Sequence, residues 1–316
     1  MARRALKPAG APATVFAVAT VAERLGASKD ARMLIVGCAG LGSAFGANVS
    51  VFRALRSGAA TTATLMVPAP WSRGAAASYR GEDVGVMITL NAEHDLYRWG
   101  PITHAPSLLD GEGGFPRTVA DLWDHADLDE VRREARAQLE RAIYWGFDVS
   151  HIGVHLDAVS LKPEFFDAFL DLAEEFSLPL RLPDAPARRS AGFPLGALAA
   201  ERKVCSPDRV VSSALSTGLL PAISVPTKPG GPSAPDPGWD FGKFEEFVRD
   251  LEPGVTELCL CPSADSDELR AAASDAARRV ADDRLLAAAG ELRAVLEREG
   301  VTPIGYRALR DLARAG

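Results

Sequence analysis

The sequence predicts an α/β domain built on a mostly parallel sheet, open or closed into a barrel, and three observations carry that expectation. Short apolar runs alternate with longer stretches of helical period almost from end to end. Gly and Pro clusters mark the changes of period. No internal repeat or strong linker divides the chain, so its 316 residues are expected to form one domain.

Residues 15–24 allow a short amphipathic helix and residues 26–30 a turn; residues 1–29 are set apart as an N-terminal accessory arm, with the domain proper over 30–316. Residues 33–36 form a compact strand that ends in Gly37-Cys38-Ala39-Gly40-Leu41-Gly42, and residues 48–55 a helix with Gly58 just beyond it. A second strand over 61–67 is closed by Pro68-Ala69-Pro70-Trp71, and a third covers 84–90. After it come Asn91-Ala92-Glu93-His94-Asp95, then Tyr97-Arg98-Trp99-Gly100-Pro101, then a Gly, Pro and Asp-rich loop over 107–118. A long excursion behind a strand is where an α/β protein builds a pocket.

Asp127 and Glu130 have the spacing of a capping box, ahead of a helix whose apolar face is Val131, Ala135, Leu139, Ala142 and Ile143, with Gly146 closing it. A strand over 149–156 follows. Pro163 then suits a first helical turn, with Phe165, Phe166, Phe169 and Phe176 on the buried side. Residues 178–182 begin another strand and carry Arg181; residues 226–239, rich in Pro and Gly, read as an ordered loop or a lid. A helix over 241–251, a strand over 256–261, an Ala- and Arg-rich helical region interrupted near Gly290, a short strand at Pro303-Ile304 and a closing helix complete the chain.

The composition, 47% hydrophobic and 24% charged, is that of a globular protein. A net charge of −7 without a basic block argues against nucleic acid as a partner. The apolar stretch behind Arg3, Arg4 and Lys7 is too short to span a membrane and lacks a secretory design, so the expectation is a cytoplasmic protein with no membrane partner. The four cysteines, Cys38, Cys205, Cys259 and Cys261, are too sparse for a disulfide scaffold; Cys259 and Cys261, one residue apart, share a face if they lie on a strand.

The run Gly37-x-x-Gly40-x-Gly42-x-x-x-Gly46 follows a strand, but it lacks the dinucleotide spacing and has no Gly-Lys-Ser/Thr ending for a phosphate loop. His151 and His155, four residues apart near a strand end, would share a face on a helix or on a strand, but the further carboxylate and histidine pattern of a zinc helix is absent.

Several segments together resemble the YdjC-like carbohydrate deacetylases: Ala22-Glu23-Arg24-Leu25-Gly26, Ala31-Arg32-Met33-Leu34-Ile35-Val36, Met66-Val67-Pro68-Ala69-Pro70-Trp71, Gly85-Val86-Met87-Ile88-Thr89-Leu90, Tyr97-Arg98-Trp99-Gly100-Pro101, His151-Ile152-Gly153-Val154-His155 and Gly254-Val255-Thr256-Glu257-Leu258. The resemblance runs from about Ala22 to the final helix and implies a distorted TIM-like (β/α) barrel that removes acetyl groups from amino sugars with a divalent metal. Where such proteins carry adjacent aspartates, a general base and a metal ligand, this chain has Ala39 and Gly40. Met87 replaces a ligand histidine, Gly153 an acidic residue, and Cys261 a catalytic histidine, whereas His151 and His155 are retained.

Amide hydrolysis needs a positioned water, a stabilised oxyanion and a proton for the leaving nitrogen. Alanine and glycine supply none of these, and methionine is a soft ligand. The expectation is therefore a diverged member without the usual metal-dependent deacetylation that retains a small carbohydrate or acetylated ligand, with no cofactor. Its pocket would be lined by Trp71, Trp99, Arg98 and His151, with His155 as a vestigial metal ligand. The alternative is an atypical deacetylase that uses Cys261, Glu93, His94 and His155 and keeps a divalent metal. The resemblance also implies homo-oligomers.

Overall fold

The computed structural model describes residues 19–212 and 238–315. Helix α1 (Val21–Arg24) precedes the long strand β1 (Arg32–Leu41); α2 (Phe45–Ser57), β2 (Thr62–Leu65), α3 (Ser72–Ser78) and β3 (Val84–Ile88) follow. Then come α4 (Val119–His125), α5 (Leu128–Tyr144), β4 (Val149–Val154), α6 (Pro163–Phe176), α7 (Ala185–Ser190), α8 (Leu195–Glu201) and β5 (Arg209–Ser212). The C-terminal part holds α9 (Phe241–Arg249), β6 (Gly254–Leu260), α10 (Asp267–Ala272), α11 (Ala276–Ala287), α12 (Ala289–Arg298), β7 (Val301–Pro303) and α13 (Tyr306–Ala315).

Every strand pairing among the described residues is parallel. The sheet runs β4-β3-β2-β1-β6-β5, with β7 also on β1. Strand β1 is long enough to share one edge between two neighbours: β7 pairs with it at Arg32 to Leu34 and β2 from Gly37 onward, while β6 follows its other edge from Arg32 to Cys38. It is buried over its last eight residues, as a parallel strand covered on both faces must be. The sheet curls into an incomplete barrel. Beyond β4, residues 178–182 continue the curl through an isolated bridge, Ile152 to Leu180, and Leu180 N in turn donates to the Cys205 carbonyl at 2.8 Å, four residues before β5. The distorted TIM-like barrel expected from the sequence is the architecture found, with one arc held by irregular backbone.

The glycine-rich end of β1 departs from the sequence reading, since residues 37–41 continue the strand instead of forming its turn. The small side chains of Gly37, Cys38, Ala39 and Gly40 fit a position buried on both faces. The expected strand at 178–182 is reduced to its single bridge. Ile143, placed on the apolar face of α5, is 45% exposed, and the break near Gly290 falls at Ala288, leaving the glycine inside α12. Helices α3, α4, α7 and α8 and strand β5 were not anticipated. The Pro/Gly-rich segment lies outside the described residues up to position 237.

Local signals hold elsewhere. Gly58 ends α2 in the left-handed region, Pro163 opens α6, and Phe165, Phe166 and Phe169 are buried. A second, smaller cluster closes the end of the barrel where the strands begin: Val21 and Ala22 of α1, Ile35, Val255, Cys205, and Tyr306 and Leu309 of α13. Among the described residues no helix is long and apolar enough to cross a membrane.

Candidate functional site at the barrel mouth

Two irregularities set the interior. Between Cys38 and Leu41 strand β1 carries one more residue than β2, and between Val149 and Ile152 strand β4 carries one more than β3. Bulges of this kind re-aim side chains at barrel rims. The first is turned by Gly40 at φ 84°, with Ser43 Oγ donating to the Gly40 carbonyl at 2.7 Å. The second sets His151 over Gly85.

Three glycines on the strands make room for three polar side chains. A Cβ at Gly37 would lie 2.7 Å from Glu257 Oε1, one at Gly85 would lie 2.5 Å from His151 Cε1, and one at Gly153 would lie 3.1 Å from Arg181 Nε. Glu257 accepts from the Tyr306 hydroxyl at 2.6 Å, and His151 stacks on the Tyr306 ring at 3.7 Å between centroids and 9° between planes. Burial pushes the Glu257 carboxyl up, against the pull of Arg181 and Tyr306, and pushes the His151 ring well down, so His151 is neutral. This layer is the floor of the barrel, and His151 belongs to it.

Further along the same strands is the rim. Ala39 and Met87 are buried, Met87 lies in register with Gly153, and a Cβ at Gly40 would sit 3.4 Å from Cys261 Sγ. The polar groups at the rim come from loops and, with Arg279, from α11. His155 begins a strained turn, with Leu156 at φ 53° and Asp157 at φ 54°, and its Nε2 lies 2.8 Å from Glu93 Oε2. His94 Nε2 is 3.5 Å from the other oxygen of Glu93. Burial favours the neutral Glu93 carboxyl, but His155, helped by His94, outweighs it and brings the group down to about 2. Burial lowers His94 as well, and Arg279 adds to the effect.

The loop that carries Glu93 is tied to the helices. Gln138 of α5 bonds both the amide and the carbonyl of Thr89, at 2.9 and 2.8 Å, and Glu134 takes the amides of Ile102 and Thr103. Arg98 is engaged within the loop by the Ala92 carbonyl, Asp110 and the Phe115 carbonyl. Trp99 is buried, donates to the Asn91 carbonyl at 2.8 Å, and sets its edge against His94 and His155, with ring centroids 6.0 and 6.3 Å away.

The structure thus brings Glu93, His94, His155 and Trp99 into one cluster. Cys261 stands beside it, buried, its thiol raised by burial against the pull of Arg279 and Arg278, and its sulfur makes no hydrogen bond among the described residues. Trp71 is 39% exposed and packs on Phe45, with ring centroids 5.2 Å apart; it has no ring contact with the cluster among the described residues. A surface hollow of about 400 Å³ lies elsewhere, between α5 and α6; Val131, Ala135, Phe169 and Leu172 line it, but no rim residue does.

Sequence reasoning missed Arg279 and passed over Arg181, Glu257 and Tyr306. The signal was there for two of them: Arg181 and Glu257 are lone charges in otherwise apolar strand sequences. For Arg279 there was none, because arginine is ordinary in a helix such as α11.

A family model described as YdjC-like protein matches residues 33–299. The chain belongs to the YdjC-like family. It is 36% identical over 124 residues to a carbohydrate deacetylase from Thermus thermophilus and 35% identical over 154 residues to one from Brevibacillus brevis. Those alignments cover 39% and 48% of this chain, and 45% and 59% of the relatives, so the chain spans about half the length of the curated relatives it matches. A solved structure from Enterococcus faecalis, proposed to be a cellobiose-phosphate cleavage protein, shares the fold: its TM-score is 0.70, over 88% of this chain and 99% of that one, at 20% identity.

The metal that the YdjC-like resemblance implies does not fit this rim. Ala39, Gly40 and Gly153 offer no donor atom, Met87 offers only a thioether, and the Arg181 guanidinium, itself a cation, crowds the place of a side chain at 153. Among the described residues no group of three His, Cys, Asp or Glu is arranged to hold an ion. Among its described residues this YdjC-like chain lacks the ligand cluster that conventional metal-dependent deacetylation uses.

Proposed function

We propose that this YdjC-like protein holds a small carbohydrate or acetylated ligand at the barrel mouth and does not hydrolyse it by the metal-dependent route. The observation that supports the reading best is the rim itself: the strand ends carry Ala39, Gly40, Met87 and Gly153, with no carboxylate to activate water. A fold can outlive its chemistry because function resides in a few side chains placed on it. Residues 30–316 form the binding domain in this reading. Trp99 with Glu93, His94 and His155 forms the polar wall of the pocket and Trp71 and Arg98 its outer margin, while His151, expected from the sequence to line it, is buried in the layer beneath.

A panel of acetylated glycans incubated with zinc, magnesium, manganese or cobalt tests the reading. No acetate release above the metal blank is expected. Robust metal-dependent release that disappears in His155→Ala would overturn it.

One observation favours a second reading, an atypical hydrolase. The Glu93 and His155 pair, at 2.8 Å, is the arrangement by which a carboxylate orients an imidazole for proton transfer. Cys261 contributes less to that reading, since its thiol resists ionisation and makes no hydrogen bond to His155. Metal-independent hydrolysis lost in both Glu93→Gln and His155→Ala would favour this second reading.

A further inference from the structure

The barrel interior holds a positive charge that the function above leaves unused. Arg181 leaves the bridging segment beside β4 and crosses toward β6, where one terminal nitrogen lies 3.3 Å from Cys259 Sγ and the other 3.4 Å from the Val154 carbonyl. A thiol is a weak acceptor, and a guanidinium does not lose its proton in a protein. Among the described residues no carboxylate stands at ion-pair distance from Arg181, and its Nε is buried with no acceptor. The anions that face it from neighbouring elements are Glu257 and Asp157; Glu257 is committed to Tyr306. The residue nevertheless retains some accessible surface.

Gly153 belongs to the same arrangement. A side chain there would press on Arg181 Nε, so the missing acidic group on β4 and the cation lying over it are two sides of one packing solution. At the rim, Arg279 of α11 repeats the theme. Its Nε donates to Asp275 at 2.8 Å, and its terminal nitrogens have no protein partner among the described residues. Asp275 is shared with Arg278, and Arg279 acts on Cys261 and Glu93 through its charge.

We propose that the barrel mouth binds a carboxylate-bearing sugar, with Arg181 below the rim and Arg279 at it as fixed counter-charges. This rests on the ligand-binding reading above and names the chemical class of the ligand. A guanidinium holds an oxyanion by paired, charge-assisted hydrogen bonds, yet it cannot lower the pKa of a water as a metal does. A site of this kind binds without hydrolysing.

Calorimetric titration of the full chain at neutral pH with D-glucuronate and D-glucose, which differ in one carboxylate, tests the proposal. Glucuronate is expected to bind at least about tenfold more tightly than glucose, and Arg181→Gln to lose that advantage. Gly153→Asp is expected to lose it too, because the introduced carboxylate occupies the guanidinium from within. Near-ultraviolet circular dichroism verifies folding, and if Arg181→Gln does not fold, Gly153→Asp and Arg279→Gln carry the test. Equal affinity for the two sugars, or glucuronate binding unchanged in the folded variants, overturns the carboxylate and leaves the mouth a sugar site. Absence of binding for glucuronate, glucose and N-acetylglucosamine alike overturns the ligand-binding reading with it.

Discussion

At the floor of the barrel, polar side chains from separate elements answer one another: Tyr306 donates to Glu257, His151 stacks on Tyr306, and Gly37 and Gly85 leave the space these groups fill. At the rim, a few residues further along the same strands, Ala39, Gly40 and Met87 have no polar side-chain group to satisfy, and the charged groups arrive from loops and from α11. The difference separates what the fold needs from what chemistry needs. A buried polar group whose partner is lost costs the desolvation of the survivor, so the floor resists change. Rim positions facing a pocket carry no such penalty, and their donors can be lost without endangering the barrel.

Substitutions at the two levels sharpen or break that contrast. Gly85→Ala should be the most damaging, because the new Cβ meets both the His151 ring, which Tyr306 holds in its stack, and the His151 carbonyl of β4. A loss of about 3 kcal/mol in urea unfolding is expected, or failure to fold. Tyr306→Phe keeps the shape and removes only the hydroxyl, leaving Glu257 buried without its 2.6 Å partner. About 2 kcal/mol of stability should go; an unchanged unfolding midpoint would mean that the floor is as expendable as the rim.

Smaller effects belong to the rim. Glu93 titrates at about 2 in the folded chain, below its ordinary 4.5. A lowered carboxyl pKa contributes stability above the unfolded-state value that is lost as pH falls through the folded one. The contribution of the Glu93 and His155 pair should thus be complete at neutrality and fade below about pH 4.5, by about 1 kcal/mol between pH 6 and pH 3 given its partial exposure. Denaturation curves of Glu93→Gln should show a correspondingly flatter acid limb. Met87→Leu conserves volume and breaks no hydrogen bond, so it should cost less than about 1 kcal/mol in a thermal melt and leave the fold unchanged.

Much of the architecture was legible because its signals are local. The apolar run at β1, Gly58 past α2, Pro163 at the start of α6 and the phenylalanines of α6 each follow from backbone sterics or helical period. The capping box of α5 shows where locality ends. Asp127 does accept from the Glu130 amide, at 3.1 Å, but Glu130 turns away to Ser107, and Ser107 Oγ takes the Asp127 amide. A loop distant in sequence has entered the box. The irregular arc at 178–182 escaped for a related reason, since four apolar residues around Arg181 do not reveal that only one of the five will find a strand partner.

For the rim, the sequence by itself determined what is missing. Alanine, glycine and methionine at positions 39, 40 and 87 cannot do the work of carboxylates and histidine wherever they lie, because a side chain without the right atoms cannot acquire them by folding. What stands in the vacated space only the tertiary structure decided. Arg181 and Arg279 are separated by nearly a hundred residues, and their positions relative to Gly153, Cys259, Cys261 and Glu93 follow from the curl of the sheet and the bulges in β1 and β4. Charge placement in a barrel is set by which strand ends meet across the axis, and spacing along the chain does not record that.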